Sequence, residues 1–201
     1  MAYPTVSKTY GFQPVQRLDG LPYAGQIRQI PIAAGYATAI LNGDTVQIDT
    51  TGFLTAQTTT NSGNSVGVLV GCQYVNSSNQ TVQGQYYPAA ASTAANPAYA
   101  YVVDDPNAVF KVVATVAGST TPTAATRALV GSNVAIVANT GNTSTGDSYY
   151  GIDGTSTTTA AFPVRVIDVV PGTSYVSSGT TYYYEYIVKI NLHQYNTTTG
   201  V

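Results

Sequence analysis

Charge is scarce in this chain. Asp, Glu, Lys and Arg make up 8% of its 201 residues, against roughly 25% in an average soluble domain. The net charge is −2, and the seven Lys and Arg residues form no basic run. Nucleic-acid binding rests on cations that neutralise phosphates, so this scatter predicts no nucleic-acid partner. The single cysteine, Cys72, excludes an intramolecular disulfide framework and any Cys-rich metal site. The single histidine, His193, leaves a transition metal short of ligands. No apolar run approaches the ~20 residues of a membrane-spanning helix. The opening MAYPTVSKTYG has no apolar segment of the secretory-signal kind. No membrane association, cofactor or metal is expected. The sequons at Asn76, Asn79, Asn142 and Asn196 then read as chance in a chain rich in Thr, Ser and Asn.

What the chain does contain favours pleated structure. Its apolar fraction is 44%, enough for a packed core. Most apolar clusters are β-branched or aromatic, and 19 Gly and 10 Pro punctuate the chain at short intervals. The expected fold is all-β, an antiparallel β-barrel or β-sandwich with an extended N-terminal arm and long loops. Residues 1–30 read as the arm, because Pro4, Pro14, Pro22, Gly11, Gly20 and Gly25 leave no long periodic segment. Residues 31–201 read as one β domain, with a possible subdivision at the small-residue stretch 88–97.

Within that domain, IPIAAGYATAI, TVQI, FLTAQ, SVGVLVGCQYV and QTVQGQYY predict an antiparallel meander over about residues 30–87, turning at Asn42-Gly43-Asp44 and Thr51-Gly52. AYAYVV and AVFKVVATV follow as strands around the Asp104-Asp105-Pro106-Asn107 turn. A short helix is expected over 121–131, with Thr121 as cap, Pro122 in the first turn and Gly131 at its end. Residues 139–160 read as a turn-rich loop, FPVRVIDVV as a strand and PGTSYVSSGT as a turn region.

The segment TTYYYEYIVKINLHQY carries the only Glu and the only His of the chain, beside Lys189 and three consecutive tyrosines. Read as a strand, it places Tyr182, Tyr184, Tyr186, Val188, Ile190 and Leu192 on an inner face. Tyr183, Glu185, Ile187, Lys189, Asn191 and His193 fall on the other, facing water or a partner. Glu185 and Lys189 then stand about 13 Å apart, as do Lys189 and His193. General acid–base catalysis needs hydrogen-bond reach, so the three cannot act together within the strand. No G-x-S-x-G elbow supports a Ser/His/Asp triad, and Cys72 lies in an apolar run that reads as core. Asp104, Asp105 and Asn107 lack EF-hand spacing and read as a turn; Asp147 and Asp153 read the same way. Nothing local favours a glycosidase carboxylate pair. No catalytic residue is expected, and the chain reads as a non-enzyme.

Seventeen tyrosines are the strongest compositional signal. Tyr combines large apolar area with a hydroxyl, which suits a core, a subunit interface, a carbohydrate-binding platform or an exposed strand.

Several segments occur together in a telling order: RLDGLPYAGQIRQIPIAAGYATAILNGDTVQI, SVGVLVGCQYV, GQYYPA, AYVVDDPNAVFKVVA, LVGSNVAIV, FPVRVIDVV and YIVKINLHQY. In that order, over about residues 10–195, the chain resembles a family of tailed-bacteriophage virion proteins assigned as capsid decoration, or cement, proteins. The resemblance implies a non-enzymatic subunit on the outer surface of the capsid. Such a subunit binds the major capsid protein, associates as a homotrimer and staples neighbouring shell subunits. On that reading Arg17, Arg28, Tyr10, Phe12 and Tyr23 are expected at the capsid contact. Tyr182, Tyr184 and Tyr186 are expected in the core or a subunit interface. A phage tail or fibre module that binds a receptor or glycan is the alternative.

Overall fold

The computed structural model describes residues 6–58, 63–91, 93, 98–155, 159–173, 175–177 and 181–197. Among the described residues, alternating, β-branched segments form fifteen strands. The first eight are β1 (Gln13–Arg17), β2 (Arg28–Ile32), β3 (Thr45–Ile48), β4 (Leu54–Ala56), β5 (Gly67–Val75), β6 (Thr81–Gly84), β7 (Ala98–Val103) and β8 (Ala108–Thr115). The rest are β9 (Asn133–Val134), β10 (Ile136–Val137), β11 (Gly151–Asp153), β12 (Val164–Val169), β13 (Tyr175–Ser177), β14 (Thr181–Tyr183) and β15 (Glu185–Ile190). The all-β expectation holds.

Strands β3, β4, β2, β7 and β5 pair in that order, and β5 pairs back to β3, which closes a five-stranded barrel. β6 extends the barrel from β5. Ile30, Ile32, Val46, Leu54, Leu69, Cys72, Ala100 and Val102 fill the interior, capped by Ile40 and Tyr87. The predicted meander is therefore corrected. β4 does not pair with β5, the next strand in the chain; β2 lies between β4 and β7 and meets β4 in parallel at Ile32 and Leu54. Closure removes exposed sheet edges, a reason a short barrel is preferred to an open meander. Close strand packing requires a glycine: a Cβ on Gly67 would overlap the Val103 carbonyl oxygen.

The chain leaves the barrel at Val103, turns at Asp104–Asn107 and enters a second sheet of order β10-β11-β8-β15-β12-β9. Along one edge of β8, β1 pairs antiparallel with residues 108–111 and β11 pairs parallel with residues 114–115. Alternation puts Phe110, Val112, Val164, Val166, Tyr186 and Val188 into the core of this sheet, which Val68 and Val103 of the barrel also join. β13 and β14 form a separate hairpin.

Three expectations for the irregular segments change. The N-terminal arm is woven into the domain: β1 and β2 are sheet strands, and the Phe12 amide donates to the Gly43 carbonyl at 2.9 Å. The 121–131 helix reduces to one 3₁₀ turn, Arg127–Leu129, capped by the Thr126 hydroxyl. There the Thr123 amide bonds the Ala114 carbonyl and the Thr115 hydroxyl bonds the Thr121 carbonyl, so the backbone is tied to β8 before a helix could start. The 139–160 loop contains β11, and 171–181 contains β13. Of the possible subdivision at 88–97, residues 92 and 94–97 lie outside the described residues.

The Asn42-Gly43-Asp44 turn forms as expected, closed by the Asp44 amide on the Leu41 carbonyl at 3.0 Å. It is not a solvent-facing turn. Gly43 has φ +94°, and Gly11 (φ +73°) packs against both it and Ser148. Any side chain at Gly11 would collide there. This turn joins the N-terminal segment, the barrel and the 142–148 loop.

Candidate functional site

The final strand shows what alternation predicts and where it stops. Tyr186, Val188 and Ile190 are buried, while Ile187 and Lys189 are partly exposed. Glu185 and His193, both expected on the outer face, are instead buried at 7% and 1% exposure. Each has a local cause. Glu185 sits where β15 crosses β8, diagonal to Lys111, whose Nζ lies 3.2 Å from its Oε1. The Tyr10 hydroxyl donates to the same oxygen at 2.5 Å, and Lys111 also stands 5.2 Å from the Tyr10 ring centre. Burial, then the hydrogen bond to Glu185, push the Tyr10 phenol far above its ordinary range. It is a fixed donor, not an acid near neutral pH.

His193 is buried because the chain leaves the second sheet after Ile190 and lies across the barrel. The Ser65 amide donates to Leu192 and the Gln194 amide to Ser65. The Gln194 side chain makes both hydrogen bonds to the Ile48 backbone, at 2.8 and 2.9 Å. His193 Nδ1 accepts from the Tyr195 amide at 3.2 Å, which places the neutral imidazole's proton on Nε2. Burial lowers its pKa, opposed by the nearby Asp104 charge. Cys72 is fully buried, and its thiol donates to the Tyr86 carbonyl. Burial raises its pKa to about 11. His193 Nδ1 and the Cys72 thiol are thus each committed to a backbone partner. Among the described residues no three His, Cys, Asp or Glu side chains group as a metal site, and no helix is long and apolar enough to cross a membrane.

The residues expected at the capsid contact divide into three kinds. Phe12, 1% exposed, is a core residue packed edge-on against Phe110 at 6.4 Å; buried in this way it offers no surface, which corrects that expectation. Tyr10 is partly buried on Glu185, and the Tyr23 hydroxyl donates to the Gln26 carbonyl. Arg17 and Arg28 remain at the surface but are paired. Arg17 lies 3.3 Å from Asp105 and 3.4 Å from Asp19. Arg28 lies 2.8 Å from Asp104, with its guanidinium 4.8 Å from the Tyr195 ring centre. The Asp104-Asp105 pair is therefore the anionic clamp that fixes β1 and β2, not a free cation site. Of the three tyrosines, Tyr186 is core, its hydroxyl donating to the Thr126 carbonyl at 3.1 Å. Tyr184 packs partly on that core. Tyr182 pairs with Val176 in β14, and its side chain lies outside the described residues.

One surface feature escaped pattern reading. Among the described residues the exposed large apolar side chains are Val15, Leu18, Leu21, Ile27, Phe53, Tyr99, Val116 and Tyr195. Four of these eight fall within residues 15–27, on β1 and the connection to β2. Leu21 and Ile27 are more than half exposed. Four exposed aliphatic side chains within one short segment offer a candidate contact surface. The signal was present as Leu and Ile inside a Pro/Gly-rich stretch, where no periodicity assigns them a face.

No family model, curated protein or solved structure matches the chain.

Proposed function

We propose that the chain is a phage capsid decoration protein. It binds the outer surface of the major capsid shell as a homotrimer and bridges neighbouring subunits. The observation that carries this reading is the aliphatic cluster Val15, Leu18, Leu21 and Ile27, held on a segment that is itself pinned to the domain by β1, Arg17 and Arg28. Two further features support it. The order of segments resembles decoration proteins, and the surface has so few charges that permanent protein contact suits it better than a free existence. The mechanism is stabilisation by mass action: a subunit that binds the assembled shell and not its disassembled form shifts the equilibrium toward assembly.

The test replaces Leu18, Leu21 and Ile27 together by Ser and measures co-sedimentation with shells of the major capsid protein. The proposal expects the wild-type chain to co-sediment and the variant to be lost from the pellet while its melting temperature is retained. Undiminished binding of the variant would sink the role given to this segment. The alternative is a tail or fibre module for a receptor or glycan, favoured by the cleft formed in part by the 142–149 loop. Virions lacking the protein discriminate. Decoration predicts heads that fail under heat or chelation with normal adsorption, and the alternative predicts the reverse.

A further inference from the structure

Most charged side chains of this chain are committed. Asp19, Asp104, Asp105, Asp168 and Glu185 are ion-paired. Asp49 and Asp153 accept hydrogen bonds from Thr51 and Thr155, and Asp44 from the Leu41 amide. Arg17, Arg28, Lys111 and Arg127 hold carboxylates, and Arg165 donates to Asn133. Among the described residues Lys8, Lys189 and Asp147 are the charges engaged in no hydrogen bond or ion pair. Two of the three, Lys8 and Asp147, line one cleft of about 520 Å³ between residues 6–10 and 142–149. Ser7, Thr9, Tyr10, Asn142, Thr145 and Tyr149 complete its polar lining.

Both walls are built before any ligand arrives. Thr9 anchors the first, its amide 3.1 Å from the Thr120 carbonyl, and the Tyr10 ring is fixed by Glu185 and Lys111. In the second, the Asn142 backbone amide donates to the Asp147 carbonyl and the Gly146 amide to the Asn142 carbonyl. That loop is held to the barrel by the Asn42 amide on Gly146 and the Ser148 amide on Asn42. Gly146, at φ +80°, packs so closely on Tyr86 that a Cβ would stand 2.6 Å from its ring. The size falls in the range of small-ligand sites, most of which are preformed.

The lining selects a chemistry. One carboxylate is too few for a hard cation, which takes six or more oxygens. One ammonium beside a carboxylate does not favour a phosphate. The combination of an acceptor-only carboxylate, an ammonium, an amide, Ser and Thr hydroxyls and two phenol rings suits a ligand that offers many hydroxyls around apolar C–H faces. We infer that this cleft binds a saccharide of two or three units. Asp147 accepts from adjacent hydroxyls, Lys8 donates to ring or hydroxyl oxygens, and the Tyr149 ring stacks on a sugar face. The cleft belongs to the chain wherever on a virion it sits, so its test on the isolated protein is independent of shell binding.

The experiment is saturation-transfer NMR on the full chain with three probes: maltotriose, N-acetylchitotriose and trigalacturonate. The expected result is transfer to at least one of them. Titration should then show at least a tenfold weakening in both Asp147→Asn and Tyr149→Ala. Asp147→Asn leaves the backbone bonds of the loop intact, and a melting temperature matching wild type shows that the loss is not unfolding. Lys8→Ala provides a second variant on the opposite wall, expected to weaken binding with the fold unchanged. No transfer to any probe at millimolar concentration overturns the inference. So does binding that both cleft variants leave unaltered.

Discussion

Replacing Asp44 by Asn should make this protein more stable at neutral pH. Asp44 is 3% exposed in the buried turn where barrel, N-terminal segment and 142–148 loop meet. Burial raises its pKa from 3.8 to about 6, opposed by the Ser148 hydroxyl and the Leu41 amide. The folded state therefore holds a proton that the unfolded chain has released. In that interval the folded state binds more protons, so the Asp44 contribution to stability is full near pH 4 and is lost as pH rises to 6. Above pH 6 the buried carboxylate is charged, and at ~1.4 kcal/mol per tenfold the cost is ~3 kcal/mol. Asn keeps an oxygen for the Leu41 amide, now 2.8 Å from the carboxylate, and removes the titration. The assay is urea unfolding from pH 4 to 8, followed by tyrosine fluorescence. At pH 7.5 Asp44→Asn should exceed wild type by up to ~3 kcal/mol, or roughly 6–12 °C in melting temperature for a domain of this size. The two should converge by pH 4. Taking the difference between the proteins cancels the other titrating groups. Parallel stability curves, or a variant weaker than wild type at pH 7.5, would refute the reasoning. Asp44→Leu is the control: it strands the buried amide and should cost about 1–3 kcal/mol.

Three further perturbations test the fold. Phe12→Ala should cost about 3–5 kcal/mol in urea unfolding, because Phe12 is core; a cost below 1 kcal/mol would mean that the N-terminal segment is not integrated. Gly67→Ala should prevent barrel closure, seen as loss of soluble folded protein, since its Cβ has no room beside the Val103 carbonyl. His193→Gln should flatten the acid limb of stability. The folded imidazole, with its pKa held down by burial, stays neutral while the unfolded one protonates below about 6.5, so the His193 contribution to stability is lost as pH falls through that interval. Unchanged acid sensitivity in the variant would contradict this.

Much of the fold was legible because it depends on local pattern. Alternation in TVQI, AVFKVVAT and VRVIDV located β3, β8 and β12. Asn42-Gly43-Asp44 signalled its turn because an αL position favours Gly. What escaped was set by distant partners. Residues 13–17 carry three polar side chains and a proline in five positions, and only pairing with β8 makes them a strand. The 121–131 segment had helix punctuation, but hydrogen bonds to β8 and Thr115 captured its backbone first. Period-two reading assigned Glu185 and His193 to the surface. It could not register Lys111 across the sheet, or a chain that crosses onto the barrel after Ile190. The cleft between residues 6–10 and 142–149 was equally hidden, since its walls lie more than a hundred residues apart in sequence and neither carries a motif.

The central claim is that this chain sits on the outside of a phage shell, and an electron cryo-microscopy map of the virion tests it most directly. The account predicts density for this β-barrel and sheet at regular lattice positions on the outer capsid surface, with residues 15–27 turned toward the major capsid protein. Density confined to the tail or its fibres, with a bare shell, would contradict it.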